Sequence, residues 1–256
     1  MNFKRSSYIR QLRNSIARRG FWPALRLAPR DLEYMAYRLV RRFRRPDPED
    51  VAFEREEEEF DRAMGMTTAP VVRLVGLTVK SDNVLLGSTY VPTPVYLLRP
   101  ALDGLSIHHS DFTFVDFGSG MGRVVLYAAR FPFKQVIGVE FAEELHAAAE
   151  QNVRNTEGAP ERLSPIRLYC MDATEFQLPQ GNLVCFFSNP FAAPVMEKVV
   201  GLLTRSLVDQ RRECLLIYLF PIERALIDAD RHWEVLEERQ SSVIYRFNKA
   251  QRAPQV

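Results

Sequence analysis

Cysteine and histidine are scarce here, three and four in 256 residues. The thiols Cys170, Cys185 and Cys214 are odd in number and each falls inside a stretch that reads as a core strand, which argues against a disulfide framework. No spacing among cysteines, histidines and acids is that of a metal site, so no metal is expected and the thiols should be buried and reduced. His108 and His109 sit in a loop and read as surface residues. No apolar run approaches the roughly eighteen residues that span a bilayer. A continuous apolar stretch of the signal-peptide kind is also missing near Met1, so a cytoplasmic location is expected. Glycine is sparse too, and three of the twelve glycines fall within five residues.

Those three are Gly118, Gly120 and Gly122. They follow Phe-Thr-Phe-Val-Asp-Phe, which reads as a buried strand with Asp116 near its end, and they precede Val124, Val125 and Tyr127 to Ala129 at helical spacing. Such a loop admits a ligand to the backbone, because glycine accepts positive φ and has no Cβ, and the first helical turn has unpaired N–H groups. A dinucleotide loop is spaced Gly-x-Gly-x-x-Gly, whereas this one is Asp-x-Gly-x-Gly-x-Gly, with Ser119 between the first two glycines. Taken alone, the loop has a tight turn as its other reading. The form resembles motif I of the class I, seven-strand S-adenosylmethionine (SAM) methyltransferases.

The strands that follow extend the resemblance. Residues 134–140 read as a second buried strand ending in Glu140, placed where the family has an acid that accepts the ribose hydroxyls; Phe141 beside it would pack on adenine. The alternative for Glu140 is to cap the helix expected over 142–155. A third strand, 166–171, is closed by Asp172-Ala173-Thr174. The resemblance implies that Asp172 accepts from the adenine amine, and a strand-end turn is the other reading. The fourth strand, 183–187, ends in Ser188-Asn189-Pro190-Phe191. This resembles motif IV of amino-group methyltransferases with one proline fewer, a departure that leaves the acceptor-binding atom open. Asn189, Pro190 and Phe191 are the catalytic candidates: carbonyl oxygens there would accept from a target amine and aim its lone pair, and Phe191 would offer a π face to the cation. An Asn-Pro turn into a helix is the bland alternative.

Residues 213–220 read as a fifth strand, 222–230 as a short helix, and 233–239 with 243–248 as a closing hairpin. Alternating strands and helices followed by a hairpin define an α/β sheet with one antiparallel strand. The resemblance covers about residues 90 to 250 and implies a Rossmann-like seven-strand sheet of order 3-2-1-4-5-7-6, with helices on both faces. Residues 1–65 would form a helical N-terminal extension, 66–89 a connecting segment, of which 67–83 carry no chemical signal, and 251–256 a tail. Just ahead of motif I, Tyr90-Val91-Pro92-Thr93-Pro94 looks like a segment that covers SAM in seven-strand protein-lysine methyltransferases. That implies cofactor-side roles for Tyr90 and Thr93, against plain helix capping by Thr93.

The net charge of +2 hides an asymmetry: residues 1–45 carry thirteen Lys or Arg against two acids, and residues 46–62 carry nine acids against two arginines. Apolar residues recur at helical spacing over 8–19 and again at Leu32, Met35, Leu39 and Phe43. Basic amphipathic helices of this kind suit an anionic membrane surface or nucleic acid, and equally a docked extension with its arginines in water. Asp47-Pro48-Glu49-Asp50 reads as a helix start, with Glu56 to Glu59 on a solvated face and Phe53, Phe60 and Met64 turned inward.

The expected function is methyl transfer from SAM, which needs no metal, to a nitrogen of a protein lysine, an RNA or a small amine. Asp116, Gly118, Ser119, Gly120, Gly122, Glu140, Phe141, Asp172, Ala173, Tyr90 and Thr93 are the cofactor-side candidates. A non-catalytic SAM-binding protein, recruited by its basic arm, would keep the same glycine loop. The glycine spacing disfavours an NAD-linked oxidoreductase.

Overall fold

The computed structural model describes residues 48–68, 71–72, 77–79, 89–156 and 163–248. The basic helices expected within 1–45 and the tail at 251–256 lie outside the described residues. Seven strands form one sheet: β1 (Phe112–Phe117), β2 (Gln135–Glu140), β3 (Ile166–Cys170), β4 (Asn182–Ser188), β5 (Cys214–Leu219), β6 (Trp233–Arg239) and β7 (Ser242–Phe247). Their order is β3-β2-β1-β4-β5-β7-β6, the one expected. β1 lies parallel between β2 and β4, and β7 runs antiparallel to both β5 and β6.

Strand alternation feeds two cores. Val115 and Phe117 of β1 pack with Leu183, Cys185 and Phe187 of β4 and with helix α5 (Ala193–Gln210), through Val195, Met196, Val199 and Leu203. Phe112 and Phe114 point to the opposite face, against α2 (Val95–Asp103) and α3 (Arg123–Ala128). Phe60 of α1 (Pro48–Ala63) joins this second core. α4 (Glu143–Asn155) follows β2, and the short α6 (Ala225–Asp228) precedes β6. A third apolar cluster joins Val72 and Leu77 to Met121, Ala142 and Leu145. Val72, Leu77, Val79 and Tyr90 thereby pack beside the glycine loop, tied by bridges Val72 to Tyr90 and Val79 to Ala142.

Several expectations are corrected. Cys170 is exposed, because β3 is the edge strand and only alternate residues meet a core, whereas Cys185 and Cys214 are buried. Glu57 is not on a solvated face: it is buried, while Glu58 and Glu59 are exposed. His109 is half-buried rather than a surface residue, its ring stacked on Phe131 and edge-on to Phe133. Thr93 does not cap α2; the first N–H of that helix, from Val95, is taken by Glu57 Oε1 at 2.8 Å. The helix expected over 222–230 contracts to Ala225–Asp228, and Phe220 leaves β5 with a positive φ of 48°.

Candidate active site

Parallel strands β1, β2, β3 and β4 deliver their carboxyl ends to one edge of the sheet, and a cavity of about 320 Å3 opens there. Asp116, Gly118, Ser119, Glu140, Phe141, Asp172, Ala173, Asn189, Pro190 and Phe191 line it, together with Tyr90 and Thr93 from the covering segment. Gly120 and Gly122 are not among the lining residues: Gly120 lies beneath the Tyr90 ring, and Gly122 starts α3 in the left-handed region, packed on Ala149.

The glycine loop is held from both sides. The N–H groups of Gly118 and Ser119 donate to the Val139 carbonyl at 2.8 and 3.1 Å. That of Gly120 donates to Glu140 Oε2 at 2.8 Å, and that of Ala142 to Glu140 Oε1 at 2.8 Å. Glu140 thus braces the loop and the approach to α4 through separate oxygens. Each oxygen retains acceptor capacity for a ligand hydroxyl. Burial pushes its carboxyl up to about 7, although backbone N–H donors from Ala142, Gly120 and Phe141 pull the other way. Asp116, wholly buried, is held well above the usual carboxylate range by desolvation first and by Glu140 second. Asp172 Oδ1 accepts from the Thr174 N–H at 2.8 Å and the Thr174 hydroxyl at 2.7 Å, which fixes the turn after β3.

Two close approaches explain two of the glycines. A Cβ on Gly118 would stand 2.6 Å from Pro190 Cβ, and one on Gly120 would stand 2.2 Å from Tyr90 Cε2. The first approach presses the Asn189-Pro190 corner onto the glycine loop. Asn189 itself has φ 44°, a left-handed conformation that asparagine tolerates better than other side chains. The second lays the Tyr90 ring over the loop, where its hydroxyl donates to the Thr68 carbonyl at 3.0 Å. Burial pushes the Tyr90 phenol up.

Sequence reasoning missed three contributors. Arg123 lines the cavity and its guanidinium is buried among Glu57, Asp61, Thr68 and the Thr93 carbonyl. Its signal was in the chain: an arginine in the first turn of a helix opposes the dipole and needs acids from elsewhere. Asn152 of α4 donates to the Met121 carbonyl at 2.9 Å and accepts from the Thr67 N–H at 2.9 Å, joining the loop to the covering segment. Phe220 lines the cavity at the end of β5 and is 38% exposed. It reads in sequence as the last residue of an apolar strand and gives no other sign.

A sheet of this order, with a glycine loop after β1 and acids at the ends of β2 and β3, is the class I, Rossmann-like fold of SAM-dependent methyltransferases, and the chain has that fold. The family model described as histone methylation protein DOT1 matches residues 87–198, from just ahead of Tyr90 into α5. Among solved structures, the chain is similar to yhhF from Escherichia coli at 18% identity, over 71% of this chain and 100% of that one, with a TM-score of 0.49. It is similar to an RNA methyltransferase from Salinibacter ruber in complex with S-adenosylhomocysteine at 20% identity, over 65% and 98%, with a TM-score of 0.40. It is also similar to magnesium protoporphyrin IX methyltransferase from Synechocystis with bound SAM at 16% identity, over 53% and 69%, with a TM-score of 0.39. Likenesses this distant say nothing about the acceptor. No curated protein matches the sequence.

The residues present fit SAM. The bare faces of Gly118 and Gly120 leave room that a Cβ would fill, and the buried Asp116 and Glu140 suit a ligand that carries positive charge and hydroxyl donors. Among the described residues no cluster of metal-ligating side chains occurs, and no helix is long and apolar enough to cross a membrane.

Proposed function

We propose that the chain is an enzyme that transfers the methyl group of SAM to a nitrogen presented at Asn189-Pro190-Phe191. The observation that carries this is the packing of Pro190 on Gly118, which sets the Asn189 corner against the loop that would hold the donor. Bound SAM supplies an electrophilic methyl on a sulfonium, so the protein has only to align donor and acceptor and exclude water. Glu140 would hold the ribose hydroxyls, Phe141 and Ala173 would flank the adenine, and Asp172 would accept from its amine. Asp116 would face the amino group of the methionine end, and Gly118, Ser119, Gly120 and Gly122 would leave its path clear. Tyr90 and Thr93 would cover it. Asn189 would accept from the acceptor amine and turn its lone pair inward, with Phe191 beside the cation.

The match to a histone methylation family supports a protein amine as acceptor ahead of RNA or a small amine. Action in a reducing cytoplasm accords with Cys185 and Cys214, whose buried thiols share a hydrogen bond at 3.9 Å and not a disulfide. The test is Asn189→Ala assayed with labelled SAM in cell extract and titrated with S-adenosylhomocysteine. Loss of transfer with binding retained is the expected result; undiminished transfer would remove Asn189 from the acceptor site.

A further inference from the structure

Three of the described residues other than glycine have a positive φ. Arg211, at 49°, ends α5 in the left-handed conformation that commonly closes a helix. The other two stand together at the cavity. β4 and β5 pair in parallel as far as Ser188 beside Leu219, so the residues that follow, Asn189 at 44° and Phe220 at 48°, leave the sheet side by side. Asparagine tolerates that region, whereas a bulky aromatic in it is an outlier. The kink at Phe220 is held on both sides: its N–H donates to the Ser241 carbonyl at 2.9 Å, and its carbonyl accepts from the Ile222 N–H at 2.7 Å. Glycine would sit there without strain. A phenylalanine stands there instead, lining the cavity and 38% exposed. Strain kept at such a position points to function rather than to packing.

The chemistry of the cavity mouth narrows that function. Among the described lining residues the charged ones are Asp116, Arg123, Glu140 and Asp172, and none is more than 8% exposed. Val91 and Phe220 are the only exposed lining residues that carry a side chain, and both are apolar. Ile222, 71% exposed, extends this surface next to Phe220, and Pro190 and Phe191 of the Asn189 corner continue it inward. A mouth without lysine or arginine offers no partner to a phosphate backbone. One without exposed acids offers none to a strongly basic tail. An aliphatic stem suits it, because the methylenes of a lysine bury along apolar surface behind the amine.

We propose that Phe220 determines acceptor specificity and, with Val91, selects a lysine carried on an apolar stretch of protein. This rests on the reading of Asn189-Pro190-Phe191 as the corner that receives the acceptor nitrogen. Val91 and Phe220 take the lysine stem, and apolar residues on either side of the lysine spread over Val91, Phe220 and Ile222. The same uncharged mouth strips water from the incoming ammonium, which favours the neutral amine, the form able to attack. Its proton leaves to solvent before transfer. The nitrogen then gains the methyl group as the bond from that methyl to sulfur breaks.

The experiment uses the full chain, labelled SAM and three synthetic peptides, each with one lysine flanked on both sides by leucine, by arginine or by glutamate. A short single-stranded RNA is the fourth probe. The leucine-flanked peptide should show a kcat/KM about tenfold or more above the other two, since burying part of two leucine side chains is worth about that much, and the RNA should accept no methyl. Phe220→Asn suits the left-handed backbone and removes the ring, so the preference should fall below about threefold, through KM, with affinity for S-adenosylhomocysteine held within about twofold. Phe220→Tyr should restore the preference. Val235→Ala, at a 48% exposed position of β6 outside the cavity, should alter neither quantity. Equal rates with the three peptides, a preference for arginine or glutamate flanks, transfer to the RNA, transfer to no peptide, or a preference that survives Phe220→Asn each overturns the proposal. Should Phe220→Asn lose its melting transition, Val91→Ser decides by the same criterion. An unaltered chain that binds no S-adenosylhomocysteine would instead sink the reading on which the proposal stands.

Discussion

Replacing Gly120 by alanine tests whether the Tyr90 cover and the glycine loop are one device. Gly120 has φ 53°, and the added Cβ would lie 2.2 Å from Tyr90 Cε2 and 2.4 Å from Cδ2. Holding an alanine in the left-handed region costs about 1 to 2 kcal/mol. The overlap cannot be absorbed by a flexible tip, because the ring edge itself is struck, and forcing it aside costs a further 1 to 3 kcal/mol or so. It also strains the hydroxyl bond to Thr68, worth about 1 kcal/mol. Binding needs the ring back over the loop, so a penalty of about 3 kcal/mol should appear as a loss of roughly a hundredfold in affinity for S-adenosylhomocysteine. Gly181 provides the matched control: φ is 88°, but nothing lies within 4 Å of its added Cβ. Gly181→Ala should bear the backbone strain alone, a melting-temperature drop of about 2 to 4 °C per kcal/mol with unchanged affinity. Calorimetric titration and thermal melting of both variants give the answer. Gly120→Ala binding within threefold of the unaltered protein would refute the reasoning.

Glu140 ties stability and binding to pH. Its carboxyl is raised by burial from 4.5 to about 7 in the folded chain, so the ligand-free protein should be most stable below pH 4.5 as far as this group is concerned. It should lose on the order of 3 kcal/mol as the pH rises through 7. Affinity for SAM should move oppositely, growing as Glu140 ionises; urea melts and titrations from pH 5 to 8 check both, and Glu140→Gln should flatten them. Leu203 is fully buried between α5 and the sheet, so Leu203→Ala should cost about 2 to 5 kcal/mol in urea unfolding, and a loss under 1 kcal/mol would contradict the packing described. Removing residues 1–45 should weaken binding to anionic liposomes or to RNA, with a steep salt dependence. Unaltered binding would mark the arm as a docked extension.

Much of the site was legible because each strand announces its own end. Asp116, Glu140, Asp172 and Asn189 stand where an apolar run stops before a glycine, a helix start or a proline, and short-range pattern is enough to find such places. Pairings across the chain leave no such trace. Four consecutive glutamates read as a solvated face, and only the fold shows that Glu57 turns inward to Arg123 while Glu58 and Glu59 do not. Glu57 and Asp61 lie in the stretch read as an extension, and their pairing with Arg123 is a contact that charge asymmetry along the chain does not mark. Cys170 was misread for a related reason: an apolar strand at a sheet edge and one at its centre look alike until the order of strands assigns their neighbours.

The contact between Gly118 and Pro190 couples what each position can accept. Pro190 can shrink to a smaller residue while Gly118 stays as it is. A side chain at Gly118 has no such freedom, since it meets the proline ring before it meets any ligand. Substitution at this corner is therefore tolerated in one order and not the other: Pro190 has to shrink before Gly118 can gain a side chain.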